Sequence, residues 1–299
     1  MSAGLTGGTV GAAQGRTRYL VAYAADRRSK DALALAGVLA RTFDAALDIV
    51  YIVHEPSART AHQPNTADFA AHVRDQARQW LEEARDRVPA GVPVELHLRD
   101  AASVTAGVLD AAAELGSALI VIWSGSGSGR PLVASPVVGA LLHASPVPVA
   151  MAPRKYGAGR GETGPLEELA CAVGTRPGAQ QVLEEAVEAV GRVDLPLRLV
   201  SLVDLAGHDR AAGRAAREQA EQALKDAAAR VGEGGVVRTD VGRGKDLKHA
   251  AAKIDWNPRS VLLIGSSRLA QGRQTFLGTT AARLLAHLPI PMIVVPRPD

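Results

Sequence analysis

Short apolar runs alternate with longer amphipathic segments along most of the chain. Residues 18–25 (RYLVAYAA), 47–53 (LDIVYIV), 118–123 and 147–151 are too short for helices and are bounded by turn residues, so each predicts a strand buried on both faces. Residues 92–99 alternate apolar and polar positions, which predicts a strand exposed on one face. Between the strands, residues 31–43 place Leu33, Leu35, Val38 and Leu39 on one helical face. Residues 66–88 do the same with Phe69, Val73, Trp80 and Leu81. Helices are also predicted over 101–115 and 137–143. Residues 154–164 are Gly-rich and polar and read as a linker, after which the order recurs. Strands are predicted at 169–173, 197–203, 236–241, 261–264 and 292–295. The helices between them are predicted at 178–190, 208–231, 245–254 and 281–288.

This recurrence is an internal repeat of about 145 residues. Its best landmarks are the paired segments LLHASPVPV (141–149) and LLAHLPIPM (284–292). Strands alternating with helices imply parallel sheets covered on both faces, joined by right-handed crossovers. The fold class is therefore α/β, with two tandem doubly wound domains. The expected division is a disordered tail (1–15), a first domain (16–154), a linker (155–165) and a second domain (166–299).

Composition narrows the function. The chain has 299 residues and is 47% hydrophobic but only 3% aromatic, so its cores must be built from Ala, Val and Leu. The formal net charge of +3 is spread along the sequence, which gives no footprint for nucleic acid. No apolar run approaches the length of a membrane span. The first 15 residues lack the basic and apolar regions of a signal peptide. The single cysteine, Cys171, lies in an apolar run and reads as a buried small hydrophobe. A cytoplasmic, reducing setting is expected. No set of His, Cys, Asp and Glu has metal-ligand spacing, and no nucleophile–base pair is identifiable, so no enzyme is expected.

The candidate chemistry lies near the C-terminus. The apolar run 261–264 ends at Gly265, followed by Ser266, Ser267 and Arg268. Order resumes at Gly278, Thr279 and Thr280, where a threonine can cap the next helix. A strand, a glycine loop and a helix N-terminus together present backbone N–H groups and the positive end of a helix dipole, a geometry suited to phosphate. The first half has a Gly/Ser loop at the equivalent place, Ser124 to Arg130, including Gly125 and Gly127, with Ala134 and Ser135 further on.

These residues resemble the C-terminal signature of the universal stress protein family, G-x2-G-x9-G-[ST], which wraps the phosphates of ATP. Gly265 matches the first glycine and Gly278-Thr279 the last pair, while Arg268 stands at the middle glycine. The segment HLPIP (287–291) matches the family's His-x-Pro-x-Pro ending. The resemblance covers almost all of the chain after residue 16. It implies a five-stranded parallel sheet of order 3-2-1-4-5 in each half, with helices on both faces and the ligand between strands 1 and 4. It also implies an acidic residue just after strand 1. The first half has Ala24-Ala25 there, with Asp26 two positions late, and the second has Gly174-Thr175.

By resemblance, adenine is held by backbone groups after strands 2 and 3, here Val203 and Val241 with Gly242, and Val53 and Leu98 in the first half. The implied ligand is an adenine nucleotide, ATP with Mg, held chiefly in the second half by Gly174, Thr175, Val203, Val241, Gly242, Gly265, Ser266, Arg268, Gly278, Thr279 and Thr280. Gly125, Gly127 and Ser135 would serve in the first. Arg243 and Lys245 stand in a second Gly-containing segment that reads as a loop. The implied role is a stress-response signalling module. The alternative is a nucleotide-free interaction scaffold that dimerises through its final strands, since family members often pair the last strand between chains or domains.

Overall fold

The computed structural model describes residues 15–54, 66–124, 136–158, 164–174, 179–206, 210–231, 237–266 and 279–296. The first half contains β1 (Arg18–Tyr23), α1 (Ser29–Phe43), β2 (Ala46–His54), α2 (Thr66–Arg85), β3 (Val94–Ala101), α3 (Val104–Glu114), β4 (Leu119–Trp123), α4 (Pro136–Ala144) and β5 (Val149–Ala152). The second half repeats the order with β6 (Glu168–Ala172), α5 (Ala179–Val193), β7 (Leu197–Asp204), α6 (Arg210–Val231), β8 (Val237–Gly244), α7 (Leu247–Ala251), β9 (Ser260–Gly265), α8 (Thr279–Leu285) and β10 (Met292–Val295). Among the described residues, no helix is long and apolar enough to cross a membrane.

Among the described residues, ten strands join one sheet of order β3-β2-β1-β4-β5-β10-β9-β6-β7-β8. Each half has the expected 3-2-1-4-5 order with parallel pairing. The halves meet at β5 and β10, which run antiparallel with Met292 opposite Met151 and Val294 opposite Val149. Of the two expected assemblies, a homodimer or a pseudo-dimer of the two domains, this is the second. The final strands pair with each other within one chain. β5 lies between β4 and β10, and β10 between β5 and β9. Neither retains an edge for another chain, so dimerisation through these strands is ruled out in this arrangement.

The apolar alternation of the strands feeds two cores. Tyr19, Val21 and Ile49 pack with Leu35 and Leu39 of α1 on one face, continuing to Leu169, Cys171 and Leu183 in the second half. On the other face, Leu20, Ile120 and Met151 pack with Leu141 and Leu142 of α4, continuing to Leu262, Met292 and Leu284. Both cores cross the β5–β10 seam, and each fully buried aliphatic side chain contributes about 1.5–3 kcal/mol.

The connection between halves is fastened to α1. The Asp31 carboxylate accepts the Lys155 N–H (2.9 Å) and the Gly157 N–H (2.9 Å). Lys155 has a positive φ of 63°, and Tyr156 is buried in a single 3-10 turn spanning Tyr156–Ala158. Beyond it, the Leu166 N–H donates to Thr42 Oγ1 at 2.8 Å. The start of the Gly-rich linker is thus bound to a helix of the first half.

The segment after Val241 also differs from the sequence reading. β8 continues to Gly244, and α7 spans five residues rather than ten. A Cβ on Gly242 would lie 2.4 Å from the Ala250 carbonyl oxygen, and one on Gly244 2.4 Å from the Ala250 nitrogen. These glycines let α7 cross directly over the strand. Asp246 then caps α7, accepting the His249 N–H at 2.9 Å.

Candidate functional site

Pairing at the strand ends opens a crevice in each half. In the second half, the β6–β9 ladder ends at Cys171 opposite Leu263. β6 then follows β7, with the Val173 N–H donating to the Val200 carbonyl at 2.8 Å. β9 follows β10, with Gly265 opposite Val295 and the Ser266 N–H donating to the Val295 carbonyl at 2.9 Å. The strands diverge where the order reverses, as expected for ligand sites of open α/β sheets. Gly174 lies on one lip, exposed, and Gly265 and Ser266 on the other. Thr279 and Thr280 open α8.

The first half diverges in the same way. The β1–β4 ladder ends at Val21 opposite Val121, while β4 continues against β5 to Trp123 opposite Ala152. Its lips are filled differently. The Arg28 guanidinium carbon lies 5.0 Å from the centre of the Trp123 ring, a cation–π contact. Ala25 adopts a left-handed φ of 55°. Asp26 Oδ1 then accepts the Ser29 N–H (2.7 Å), the Ser29 hydroxyl (2.8 Å) and the Arg28 N–H (3.0 Å). Asp26 is thus committed to the start of α1.

The fold brings only some of the expected residues together. Gly174, Gly265 and Ser266 meet at one crevice. Val203 lies within β7 opposite Arg243, Val241 lies within β8 opposite Ser201, and Gly242 is opposite Leu202. These are ladder positions before the strand ends, and Gly242 is taken up by helix packing. Val53 and Leu98 are also internal to the β2–β3 ladder. Arg243 lies at the outer end of β8 and Lys245 just beyond it, two strands from β6. Thr175, Arg268, Gly278, Gly125, Gly127 and Ser135 lie outside the described residues.

Two features escaped the sequence reading. Arg283 of α8 lies 3.7 Å from the Asp204 carboxylate at the end of β7, bridging elements 79 positions apart with no local signal. The other lies at the amino ends of the strands. Asp48 of β2 is fully buried, and Arg18 of β1 nearly so. Arg18 Nε donates to Asp48 Oδ2 at 2.8 Å, and Nη2 donates to Asp48 Oδ1. Nη1 donates to Glu95 at 3.1 Å, and His97 Nε2 lies 2.8 Å from Asp48 Oδ1. Burial alone would push the Asp48 carboxyl up, but the His97 and Arg18 hydrogen bonds outweigh it and hold it below the ordinary carboxylate range. Hydrogen bonds to Asp48 and Glu95 hold the Arg18 guanidinium firmly protonated. Asp48, Glu95 and His97 are the one group among the described residues with metal-capable atoms close together. Arg18 already supplies their cation. The signal was present in the sequence as a charge inside the run LDIVYIV.

A paired set of five-stranded halves, each with a crevice at its strand-order reversal, defines a tandem doubly wound α/β protein. The universal stress protein family model matches residues 15–153 and 167–296, and the chain belongs to that family. It is 28% identical over 296 residues to universal stress protein Rv2319c of Mycobacterium tuberculosis, an alignment covering 93% of this chain and 99% of that one. Among solved structures, a universal stress protein from Archaeoglobus fulgidus matches with a TM-score of 0.64 at 16% identity, covering 93% of this chain and 98% of its own. Another Archaeoglobus fulgidus member, in complex with dAMP, matches 45% of this chain and 94% of its own at 16% identity, with a TM-score of 0.33.

Proposed function

We propose that the chain is a binding and signalling module that takes an adenine nucleotide, ATP with Mg, in the crevice of its second half. One observation carries this reading. The lips of that crevice are Gly174, Gly265 and Ser266, which bring backbone and one hydroxyl to the strand ends. The first-half lips carry Trp123 with Arg28 against it. Family membership and the spacing from Gly265 to Gly278-Thr279 support the same assignment. Phosphate would meet backbone N–H groups there, with Arg268 available as an added positive charge. Binding would act on partners through the state of the sheet and helices around the crevice. Neither half requires a catalytic group in this role.

The test is nucleotide released from the purified protein on denaturation, combined with melting in Mg-ATP. The expected result is about one adenine nucleotide per chain and a melting rise matching the roughly 2.7 kcal/mol gained at a hundredfold excess over Kd. Gly265→Val should abolish both, and Trp123→Ala neither. Absence of nucleotide and of any shift would refute the reading and favour a nucleotide-free scaffold.

A further inference from the structure

The buried ion pair of the first half has a counterpart of opposite polarity in the second. In the first half Leu20 is opposite Asp48, and in the second Ala170 is opposite Arg198, so Asp48 and Arg198 occupy equivalent positions. Two residues before Leu20 and Ala170 stand Arg18 and Glu168, also equivalent. Arg18–Asp48 in one half thus becomes Glu168–Arg198 in the other, an ion contact of 3.5 Å without a hydrogen bond, since Arg198 Nη1 donates to the Asp255 carbonyl at 2.7 Å. The edge strand follows the inversion. His97, opposite Val50, contacts Asp48, while Asp240, opposite Val200, accepts from Arg198 Nε at 2.7 Å. All four ions are buried, with exposures of 7% (Arg18), 0% (Asp48), 6% (Glu168) and 2% (Arg198).

We propose that this inversion sorts the strands of the two halves as the chain folds. Tandem copies of one fold risk exchanging equivalent strands, a characteristic failure of multidomain and repeat proteins. Packing discriminates at some positions, where buried Tyr19 and Leu20 are matched by Leu169 and Ala170, but weakly at the centre of the ladder. Val21 and Ile49 in one half are matched by Cys171 and Leu199 in the other, and all four are small or medium apolar residues. The charges discriminate strongly. Pairing β1 with β7 would bury Arg18 against Arg198, and pairing β6 with β2 would bury Glu168 against Asp48. Each exchange replaces an opposite-charge pair with two buried like charges side by side, compensated only by the edge-strand partner Asp240 or His97. A buried pair adds little stability over an apolar one of the same shape, and its best-attested use is to specify pairing.

Cys171 provides a direct probe. In β6 it is opposite Leu199, whose first-half equivalent is Ile49 in β2. Ile49→Cys therefore puts a second thiol beside Cys171 only when β6 pairs with β2. In the native sheet, β2 and β6 are six positions apart, about 29 Å at the usual strand spacing and far beyond disulfide reach. The full chain carrying Ile49→Cys is refolded from denaturant under oxidant, and the 49–171 disulfide is counted by peptide mapping.

Three backgrounds are compared: the native pairs, Arg18→Glu with Asp48→Arg, and those two changes combined with Glu168→Arg and Arg198→Asp. The first-half reversal gives both halves the same polarity and should raise the trapped fraction about tenfold or more. Reversal in both halves restores opposite polarity, with the same damage to the first half, and should return it towards the native level. Equal trapping in the two reversed proteins would assign the effect to lost stability and overturn the proposal. No rise in either would also overturn it.

Discussion

Replacing Asp48 with leucine tests the energetics of the buried cluster. The substitution leaves Arg18, its side chain 8% exposed, with Glu95 as its remaining carboxylate, and Glu95 is 56% exposed. Removing one partner of a buried ion pair costs about 3–5 kcal/mol, because the other charge stays behind unneutralised. Glu95 is half in water and compensates partly, so the expected cost is near the lower end, about 3 kcal/mol. Arg18→Met should cost a similar amount by leaving Asp48 with His97 alone. The double variant removes both charges and should be neutral or more stable than either single variant.

Urea unfolding followed by far-ultraviolet circular dichroism reads all four proteins. At a slope of about 3 kcal/mol per molar urea, each single variant loses about 1 M in midpoint, and the double variant recovers most of it. If the double variant lost the sum of the single effects, the two residues would be acting independently and the description of the cluster would be wrong. A single variant indistinguishable from wild type would refute it equally.

Three further outcomes are expected. The Asp48 carboxyl is held below its unfolded value, so its contribution is fully present above about pH 4 and disappears as pH falls through the lower folded value; acid titration should show wild type losing more stability there than the Arg18→Met/Asp48→Leu protein. Gly242→Ala drives a Cβ to 2.4 Å from a backbone oxygen and should cost about 1–3 kcal/mol in thermal unfolding, whereas Gly139→Ala in α4, with nothing within 4 Å, should be neutral or stabilising. Asp31→Ala removes the acceptor for Lys155 and Gly157 and should cost roughly 2–3 kcal/mol, with faster trypsin cleavage after Arg154 or Lys155 as the readout.

Much of the fold was legible because buried parallel strands and amphipathic helices have different periods. The strand order was not, since periodicity does not say which strands are neighbours; the family resemblance supplied it. Local glycine chemistry misled at residues 242–246, where G-R-G-K-D reads as a loop. Gly242 and Gly244 are strand residues made small for a helix crossing, a reason visible only once α7 is in place. The fastening of the linker was not legible, because Asp31, which holds it, lies 124 residues before Lys155. Of the candidate site, sequence located the β9 end and its glycine. The Arg28–Trp123 contact joins positions too far apart in sequence to be paired by any spacing rule.

Joining the two halves in one chain changes what each half is able to become. Two identical chains paired through their last strands must carry identical crevices and identical buried ion pairs, because symmetry copies every substitution. Here the β5–β10 seam keeps the pairing of such a dimer, and the covalent link removes the copying. The first crevice carries Trp123 under Arg28, while the lips of the second are glycine and serine. The buried pair has reversed polarity between halves, an arrangement a symmetric dimer cannot adopt. The same freedom creates a hazard, since two similar sheets now fold at high local concentration on one chain. An inverted ion pair answers that hazard where the central ladder positions of the two halves, Val21 and Ile49 against Cys171 and Leu199, are similar in size. Different crevices and opposite buried pairs therefore rest on one property, the asymmetry that a single chain allows its two halves.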